Sequence, residues 1–338
     1  MAHFLGIDGG ASKARGALIA ASGRVLARAS AGGSSIIGLP HAEALATLAG
    51  IAQLLCAKAG VPLAAVAGCG LGLNGVDFAD EIPGQHAALA AGLGVAPERL
   101  VLVNDGIAAL WGASPAPAAA ILQHGSAFTG GYRARHGAEA LFDHLGVGET
   151  FDLRGGLRVL VARMLDGRAE PTPLLDAALA HYGVTADDYA EALFRQRIPW
   201  ARLNSTAPLI FAAWQADDPA AGWLVERALD EYALVAAALI ARTGSDAAEI
   251  AFGGGVIQQA PPRCWALLAG RVRARFPRVT VKSPDLPPEH GAAIMAACAA
   301  GVEPVSLFQS LRRDEKEHPC ETVSPSPSSA PAVPTRRS

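Results

Sequence analysis

The chain reads HFLGIDGGASK from His3 to Lys13, an apolar run that ends in a carboxylate and two glycines. An apolar run of this length predicts a buried strand, and Lys13–Ala20 and Arg24–Ser30 predict two more strands. The connections between them are short and contain glycine, as tight turns do. The sequence therefore predicts a domain that opens with a three-stranded antiparallel meander.

The glycines of this stretch also predict a ligand site. Glycine lets the backbone approach a ligand closely, so the N–H groups at Gly9 and Gly10 can bind phosphate oxygens. Ser12 and Lys13 add a hydroxyl and a positive charge, and Asp8 at the strand end could hold Mg²⁺ through water. An ordinary hairpin turn would explain the same residues, and no GxxxxGK[ST] motif is present. The stretch alone leaves both interpretations open.

Beyond residue 40, helices and strands alternate, which is typical of parallel pairing. The predicted order is helix His41–Ala59, strand Ala65–Leu73, helix Gln85–Leu93, strand Arg99–Asp105 and helix Ile107–Ala113. Prolines at 115 and 117 then mark a seam, after which the strand pattern starts again at Ala118–Leu122. The sequence therefore predicts a second α/β unit after the seam.

These patterns predict an α/β protein with two domains. We assign residues 1–114 and 290–302 to the first domain and residues 115–289 to the second, because a lone helix at Glu289–Ala300 follows two prolines. Residues 303–338 lose periodicity and become rich in serine and proline, which predicts a disordered tail.

Three further motifs stand at the ends of predicted strands. They are Asn104-Asp105, Gly125-Ser126 and Gly253-Gly254-Gly255. Two glycine loops, one in each half, can hold a triphosphate between them, and three glycines after a strand leave room for a flat base. Asp105 could equally be the N-cap of the helix that follows it, and the glycine loops could be plain hairpins or flexible connections.

Composition excludes several functional classes. The 338 residues are 51% hydrophobic and 17% charged with a net charge of −3, so no overall field attracts nucleic acid or an anionic membrane. The five cysteines form no CxxC pair and no metal-ligand spacing. No targeting segment or membrane span is evident. We expect a cytoplasmic protein whose partner is a small molecule, and a homodimer is left open.

The order of the motifs resembles that of the actin-like ATPase superfamily, which includes hexokinases and Hsp70. Within it, the chain looks most like the branch of N-acetylglucosamine kinases and BadF/BadG/BcrA/BcrD ATPases, which carries DGGxTK, ND or TD, GTGS, GWGxxxGDEGS, glycine-rich adenosine and late GAA motifs. The matching residues are Asp8 to Lys13, Asn104-Asp105, Gly125-Ser126, Gly253 to Gly255 and Gly291-Ala292-Ala293. The resemblance implies two actin-like (ribonuclease H-like) domains with an interdomain cleft.

Two motifs of that branch are altered here. The GTGS loop reads Gln123-His124-Gly125-Ser126, and the GWGxxxGDEGS segment, which holds sugar hydroxyls in the family, reads LFDHLGVGET over residues 141–150. Glu149 is the remaining acid near the position of the family's acidic pair. An early loop, where the family often has an asparagine for the sugar, contains Ser35 instead.

The resemblance implies an ATP-dependent kinase that uses ATP and Mg²⁺ and phosphorylates an amino sugar. Asp8 would hold the metal and Asp105 would accept the proton of the acceptor hydroxyl. The residues implied in phosphate binding are Gly9, Gly10, Ser12, Lys13, Gly125 and Ser126, those at the adenosine are Gly253, Gly254 and Gly255, and those at the sugar are Ser35, Asn104, Asp105 and Glu149. Because of the altered motifs, a non-catalytic or weakly hydrolytic ATP-binding regulator of the same fold stays the alternative.

Overall fold

The computed structural model describes residues 1–142 and 150–317, which form two five-stranded sheets with helices packed on them. The first half contains β1 (His3–Gly9), β2 (Lys13–Ala20), β3 (Val25–Gly32), α1 (Ala42–Ala59), β4 (Gly68–Leu73), α2 (Ile82–Leu93), β5 (Leu100–Asn104) and α3 (Asp105–Ala113). The second half contains β6 (Ala119–His124), β7 (Phe128–Arg133), β8 (Glu139–Leu141), α4 (Leu153–Leu165), α5 (Pro173–Tyr182), α6 (Tyr189–Phe194), α7 (Trp200–Asn204), α8 (Ala207–Gln215), α9 (Pro219–Thr243), β9 (Glu249–Gly253), α10 (Gly255–Gln258), α11 (Pro262–Arg275) and β10 (Thr280–Lys282). Two last helices follow, α12 (Pro288–Ala299) and α13 (Pro304–Glu317).

The two sheets share one topology. In the first, the order is β3-β2-β1-β4-β5, with β1, β2 and β3 antiparallel and β4 and β5 parallel to β1. In the second, the order is β8-β7-β6-β9-β10, with the same sequence of antiparallel and parallel pairs. The predicted meander, the parallel strands after it and the repetition in the second half are therefore confirmed.

Helix α12 packs directly on the first sheet because the strands present glycine to it. A Cβ atom on Gly6 of β1 would lie 2.1 Å from the main-chain oxygen of Glu289. On its other side, a Cβ atom on Gly291 would lie 2.0 Å from the main-chain oxygen of Ala108 in α3. Small residues thus let α12 pack between α3 and the sheet of the first half. The domain boundaries that follow from this arrangement stay a prediction.

Each half has its own large cluster of buried apolar side chains as a core. One lies between the first sheet and helices α1 and α2, and the larger one lies between the second sheet and the helices of the second half. Helix α1 is the one described helix that is long and apolar enough to cross a membrane by length and composition. Its buried residues, among them Leu48 and Leu55, belong to the first cluster, so this helix has the packing of a core helix.

The C-terminal tail is the part of the predicted organisation that the structure contradicts. Residues 304–317 form α13, and its Leu307, Phe308 and Leu311 are buried in a cluster with residues of β1, β2 and α12. The carboxylate of Asp314 also accepts a hydrogen bond from the amide of Val25 at 3.0 Å. The prediction of disorder was wrong for this segment because a short amphipathic helix gains its stability from the surface it packs on. Residues 318–338, the rest of the predicted tail, lie outside the described residues.

Candidate functional site

The candidate site lies at the carboxyl ends of β1, β4 and β5, the edge at which parallel α/β sheets bind ligands. Strand pairing aligns Gly9 with Leu73 and Leu73 with Asn104. This register brings three segments to one edge of the sheet: the glycine loop after β1, residues 74–78 after β4, and the start of α3.

The first glycine loop is a closed turn with exposed polar side chains. The amide of Gly10 donates to the main-chain oxygen of Lys13 at 3.0 Å, and the oxygen of Gly10 accepts from the amide of Ser34 at 3.0 Å. The Gly10 N–H group is therefore used inside the turn. Ser12 and Lys13 are exposed, so their hydroxyl and ammonium groups are the parts of this loop that can reach a phosphate.

The Asp8 carboxyl lies among other negative charges. Its pKa is raised to about 8, first by burial and then by the charges of Glu289 and Asp105, while Arg15 across the β1–β2 pair acts in the opposite direction. Glu289 is 7% exposed, and its Oε2 atom has no hydrogen-bond partner among the described residues. Because buried carboxylates without a compensating charge are unfavourable, these side chains fit a divalent cation.

Direct ligation by protein groups alone would not complete such a site. No three His, Cys, Asp or Glu side chains of the described segments are grouped so that they could hold one metal ion. Mg²⁺ commonly keeps several waters and takes one or two carboxylates together with phosphate oxygens. Asp8 and Glu289 therefore fit a cation that the two carboxylates would hold largely through water molecules bound to the metal.

Asn104, not Asp105, caps helix α3. The side-chain oxygen of Asn104 accepts from the Gly106 amide at 2.7 Å, and its Nδ2 atom donates to Oδ1 of Asp77 at 2.6 Å. Asp105 is the first residue of the helix, so the interpretation of Asp105 as the N-cap is wrong. Burial raises the pKa of Asp105 to about 6, and the charge of Asp77 adds to this shift. A carboxylate of this kind is ionised at neutral pH and can still accept a proton.

Polar side chains from two loops lie at the same edge of the sheet as this carboxylate, because Leu73, just before Asn74, pairs with Asn104, just before Asp105. The Ser35 hydroxyl donates to Oδ1 of Asn74 at 2.5 Å, and the main-chain N–H of Asn74 donates to the main-chain oxygen of Gly9 at 2.9 Å. Asn74 and Asp77 are candidate site residues that the sequence pattern did not single out. A signal was present, because they follow the apolar end of β4 just as Asn104 and Asp105 follow β5.

In the second half, the Gly125-Ser126 loop rests on a buried arginine. Arg154 is 3% exposed, and it donates to the main-chain oxygen of Ser126 at 3.1 Å and to Oδ1 of Asp152 at 3.0 Å. Asp152 is also the N-cap of α4. Burial by itself would raise the pKa of Asp152, but hydrogen bonding from His124 and the charge of Arg154 hold it well below its usual range.

His124, which replaces the threonine of the family loop, faces the interior of the second half. It is fully buried, stacks on Phe128 with ring centroids 3.9 Å apart, and has Nδ1 2.7 Å from the hydroxyl of Tyr232. Its Nε2 atom lies 3.2 Å from the Asp152 carboxylate. Burial lowers the pKa of this imidazole. The His124 side chain therefore packs in the core beneath the Gly125-Ser126 loop and does not face the ligand side of that loop.

The third glycine motif packs against the second one. Gly254 has φ +87°, and a Cβ atom there would lie 2.5 Å from main-chain atoms of His124. By contrast, a Cβ atom on Gly125 would meet no described atom within 4 Å, and one on Gly255 would meet only Gln259 at 3.8 Å. The fold thus brings the two predicted nucleotide loops of the second half together, with open space at Gly125 and Gly255.

The two halves meet beside Asp105. A Cβ atom on Gly106 would lie 2.6 Å from the Thr129 methyl group of β7 and 3.1 Å from Leu141 of β8. The start of α3 therefore contacts the second sheet, and the predicted base lies near the junction. Glu149, the last predicted sugar residue, lies outside the described residues.

Several solved structures share this architecture with the chain. A proposed N-acetylglucosamine kinase from Chromobacterium violaceum is 24% identical, with a TM-score of 0.66 over 88% of this chain and 99% of that one. A proposed N-acetylglucosamine kinase from Porphyromonas gingivalis is 19% identical, with a TM-score of 0.63 over 92% and 99%. A ROK family glucokinase from Streptomyces griseus, in complex with glucose and AMPPNP, is 18% identical, with a TM-score of 0.54 over 88% and 99%. These likenesses confirm the predicted α/β fold of two actin-like domains.

Sequence comparison identifies the family. No curated protein matches the chain at a significant level. A family model does match it, from residue 5 to residue 297, which spans both sheets and helix α12. That match includes the loop after β1, the Asn104-Asp105 pair and the late glycine motifs, and the family's description as ATPases implies the use of ATP. The chain therefore belongs to the BadF/BadG/BcrA/BcrD ATPase family.

Proposed function

We propose that this protein is an ATP-dependent kinase that phosphorylates a hydroxyl group of an amino sugar such as N-acetylglucosamine or glucosamine. The observation that carries the proposal is the surrounding of Asp105. A carboxylate with a pKa of about 6 stands at the start of α3, with Asp77 and Asn104 beside it. Ser35 and Asn74 lie on the neighbouring loops. A kinase needs polar groups around the catalytic carboxylate to bind the acceptor. A site that had lost its catalytic function would instead be filled by apolar side chains.

In this proposal Asp105 is the general base. It accepts the proton of the acceptor hydroxyl while that oxygen attacks the γ-phosphorus of ATP. A new oxygen–phosphorus bond forms, the bond from the γ-phosphorus to the β–γ bridging oxygen breaks, and ADP leaves. Ser35, Asn74 and Asp77 would orient the other hydroxyls, together with Asn104 and Glu149. Asn104 would act mainly through Asp77, because both ends of its amide already have partners.

The nucleotide would lie across the glycine loops. Ser12 and Lys13 from the first half, with Gly125 and Ser126 from the second, would bind the phosphates, and Gly253 to Gly255 would lie along the adenosine. Gly9 and Gly10 would shape the first loop, because the Gly10 N–H group is used inside the turn. Asp8 would hold Mg²⁺ through water, with Glu289 as a second carboxylate, and the cation would neutralise phosphate charge when bound. The glucokinase complex with AMPPNP supports nucleotide binding by a protein of this fold.

The alternative is an ATP-binding regulator that transfers no phosphate. It is favoured by one observation, that His124 stands where the family has threonine and points away from the ligand side. The polar groups around Asp105 favour the kinase. A small-molecule partner and a cytoplasmic location are part of both proposals.

One experiment separates the two functions. ADP release is measured with Mg²⁺-ATP and a panel of amino sugars and hexoses, for the parent protein, for Asp105→Asn and for the matched control Asp80→Asn, which makes the same change at an exposed position. We expect turnover of at least one amino sugar by the parent and the control, and a loss of roughly 10²–10⁴-fold in Asp105→Asn. Its ATP affinity should be kept and its melting temperature should not fall, because Asn104 caps the helix.

Two results would count against the proposal. If Asp105→Asn retains more than about a tenth of the parent rate, the carboxylate is not the base. If the parent binds ATP by calorimetry but phosphorylates no sugar of the panel, the regulator becomes the better description.

A further inference from the structure

Gln85 is a fully buried polar side chain with no part in the proposed chemistry. It lies on α2 at 0% exposure. Its Nε2 atom donates to the main-chain oxygen of Gly38 at 2.9 Å and to that of Gly75 at 3.0 Å. A glutamine amide has two N–H groups, and the two short contacts go to two different loops. Oε2 of Glu81, one helical turn earlier, lies 3.4 Å from the same nitrogen.

These two loops carry the proposed acceptor residues. The first acceptor loop, residues 34–40, contains Ser35, and the second acceptor loop, residues 74–78, contains Asn74 and Asp77. They also touch each other directly. The Ile36 amide donates to the main-chain oxygen of Asn74 at 3.0 Å, and a Cβ atom on Gly75 would lie 1.6 Å from the oxygen of Ile36.

The environment of Gln85 indicates that its amide group is needed to join the two loops. Its Oε1 atom is buried without a partner in the described part of the chain, which is unfavourable for a polar group. An apolar side chain of the same length would avoid that desolvation, but it would leave the oxygens of Gly38 and Gly75 without these donors. The amide thus joins loops that strand pairing does not join, since both lie beyond the ends of β3 and β4.

We infer that Gln85 is a positioning residue that holds the two acceptor loops in one relative arrangement. Through them it sets the places of Ser35, Asn74 and Asp77 relative to Asp105. Gln85 reaches no reacting group itself and acts through the main chain of both loops. We call the two hydrogen bonds from Gln85 to the loops the Gln85 clamp. Its effect on binding of the acceptor sugar rests on the proposed function, but the clamp itself is present in the ligand-free protein.

The first test measures loop opening without any substrate. Hydrogen exchange is followed in the loops, at Ile36 and Val76, in the parent, in Gln85→Met and in the milder Gln85→Asn, whose shorter side chain cannot reach both oxygens. Gln53→Met on the exposed face of α1 is the matched control. We expect exchange in both loops to become about tenfold faster or more in the Gln85 variants, with α9 unchanged. Unchanged exchange in either loop of both variants would overturn the inference.

The second test separates positioning from general loosening. In the Gln85 variants, KM for the sugar should rise about tenfold while KM for ATP stays within about twofold of the parent. Equal increases in both constants would overturn the positioning role. A parent that phosphorylates no sugar would count against the proposed function alone, because the exchange experiment decides the clamp without turnover.

Discussion

The raised pKa of Asp105 predicts how the stability of the protein depends on pH. The pKa of Asp105 in the folded protein is about 6, against an ordinary value of 3.8, so the folded state binds this proton more tightly than the unfolded chain does. Stability contributed by the protonated form is present below about pH 4 and is lost as pH rises through about 6. We expect the melting temperature of the metal-free protein to fall with rising pH across this window, and Asp105→Asn to reduce the fall. Equal slopes in parent and variant would contradict the raised pKa.

The same carboxyl makes a prediction for the reaction rate. A general base works only when it is ionised, so kcat/KM for the sugar should rise with pH and level off above about pH 6. The measurement is a pH–rate profile at saturating Mg²⁺-ATP, with Asp80→Asn as the control that should keep the profile. A profile that is flat between pH 5 and about 7 would remove Asp105 as the group that limits the rate.

At the level of elements, two glycines of the second half have different roles: Gly254 is needed for packing, whereas Gly125 is free to contact a ligand. Gly254→Val should lower the melting temperature, because the new side chain would meet the main chain of His124 and must adopt a left-handed backbone. Gly125→Val meets open space, so it should leave stability nearly unchanged and weaken ATP binding if this loop holds phosphate. Thermal unfolding and calorimetry with ATP check both expectations. Unchanged ATP affinity in Gly125→Val would exclude this loop from the nucleotide site.

Helix α13 gives a second prediction at this scale. Each of its three buried apolar side chains, Leu307, Phe308 and Leu311, should stabilise the fold by roughly 1.5–3 kcal/mol. Deletion of residues 303–338 should therefore lower the melting temperature by about 10 °C or more. Deletion of residues 318–338 alone is the control and should change little, because their Ser/Pro-rich composition offers few apolar groups to bury. Equal melting temperatures for the two truncations would show that α13 adds no stability.

At the level of the whole molecule, we expect the two halves to close on their substrates. The proposed phosphate ligands come from both halves, and a closed cleft excludes the water that would otherwise hydrolyse ATP. The radius of gyration measured by solution scattering should therefore be smaller with a non-hydrolysable ATP analogue and sugar together than with either alone. The same radius in all states would indicate that the cleft does not close.

The sequence by itself determined the fold class, the family and the strands and helices of the first half. Strand ends such as Asp8-Gly9-Gly10 and helical periodicity such as that of α1 are local patterns, and local patterns can be read along the chain. The strand-end position of Asp105 and the order of the glycine motifs were of the same kind. They sufficed to nominate the base and the nucleotide loops, whose roles stay predictions.

Only the tertiary structure decided which neighbour each of these residues has. It assigned the cap of α3 to Asn104, revealed that Gly254 is needed beside His124, and brought Asn74 and Asp77 to the edge occupied by Asp105. It also turned residues 304–317 from expected disorder into a packed helix and gave Gln85 its two partners. The physical reason is the same in each case: these contacts join segments far apart in the chain, and the free energy of such contacts depends on surfaces that exist only once the chain is folded.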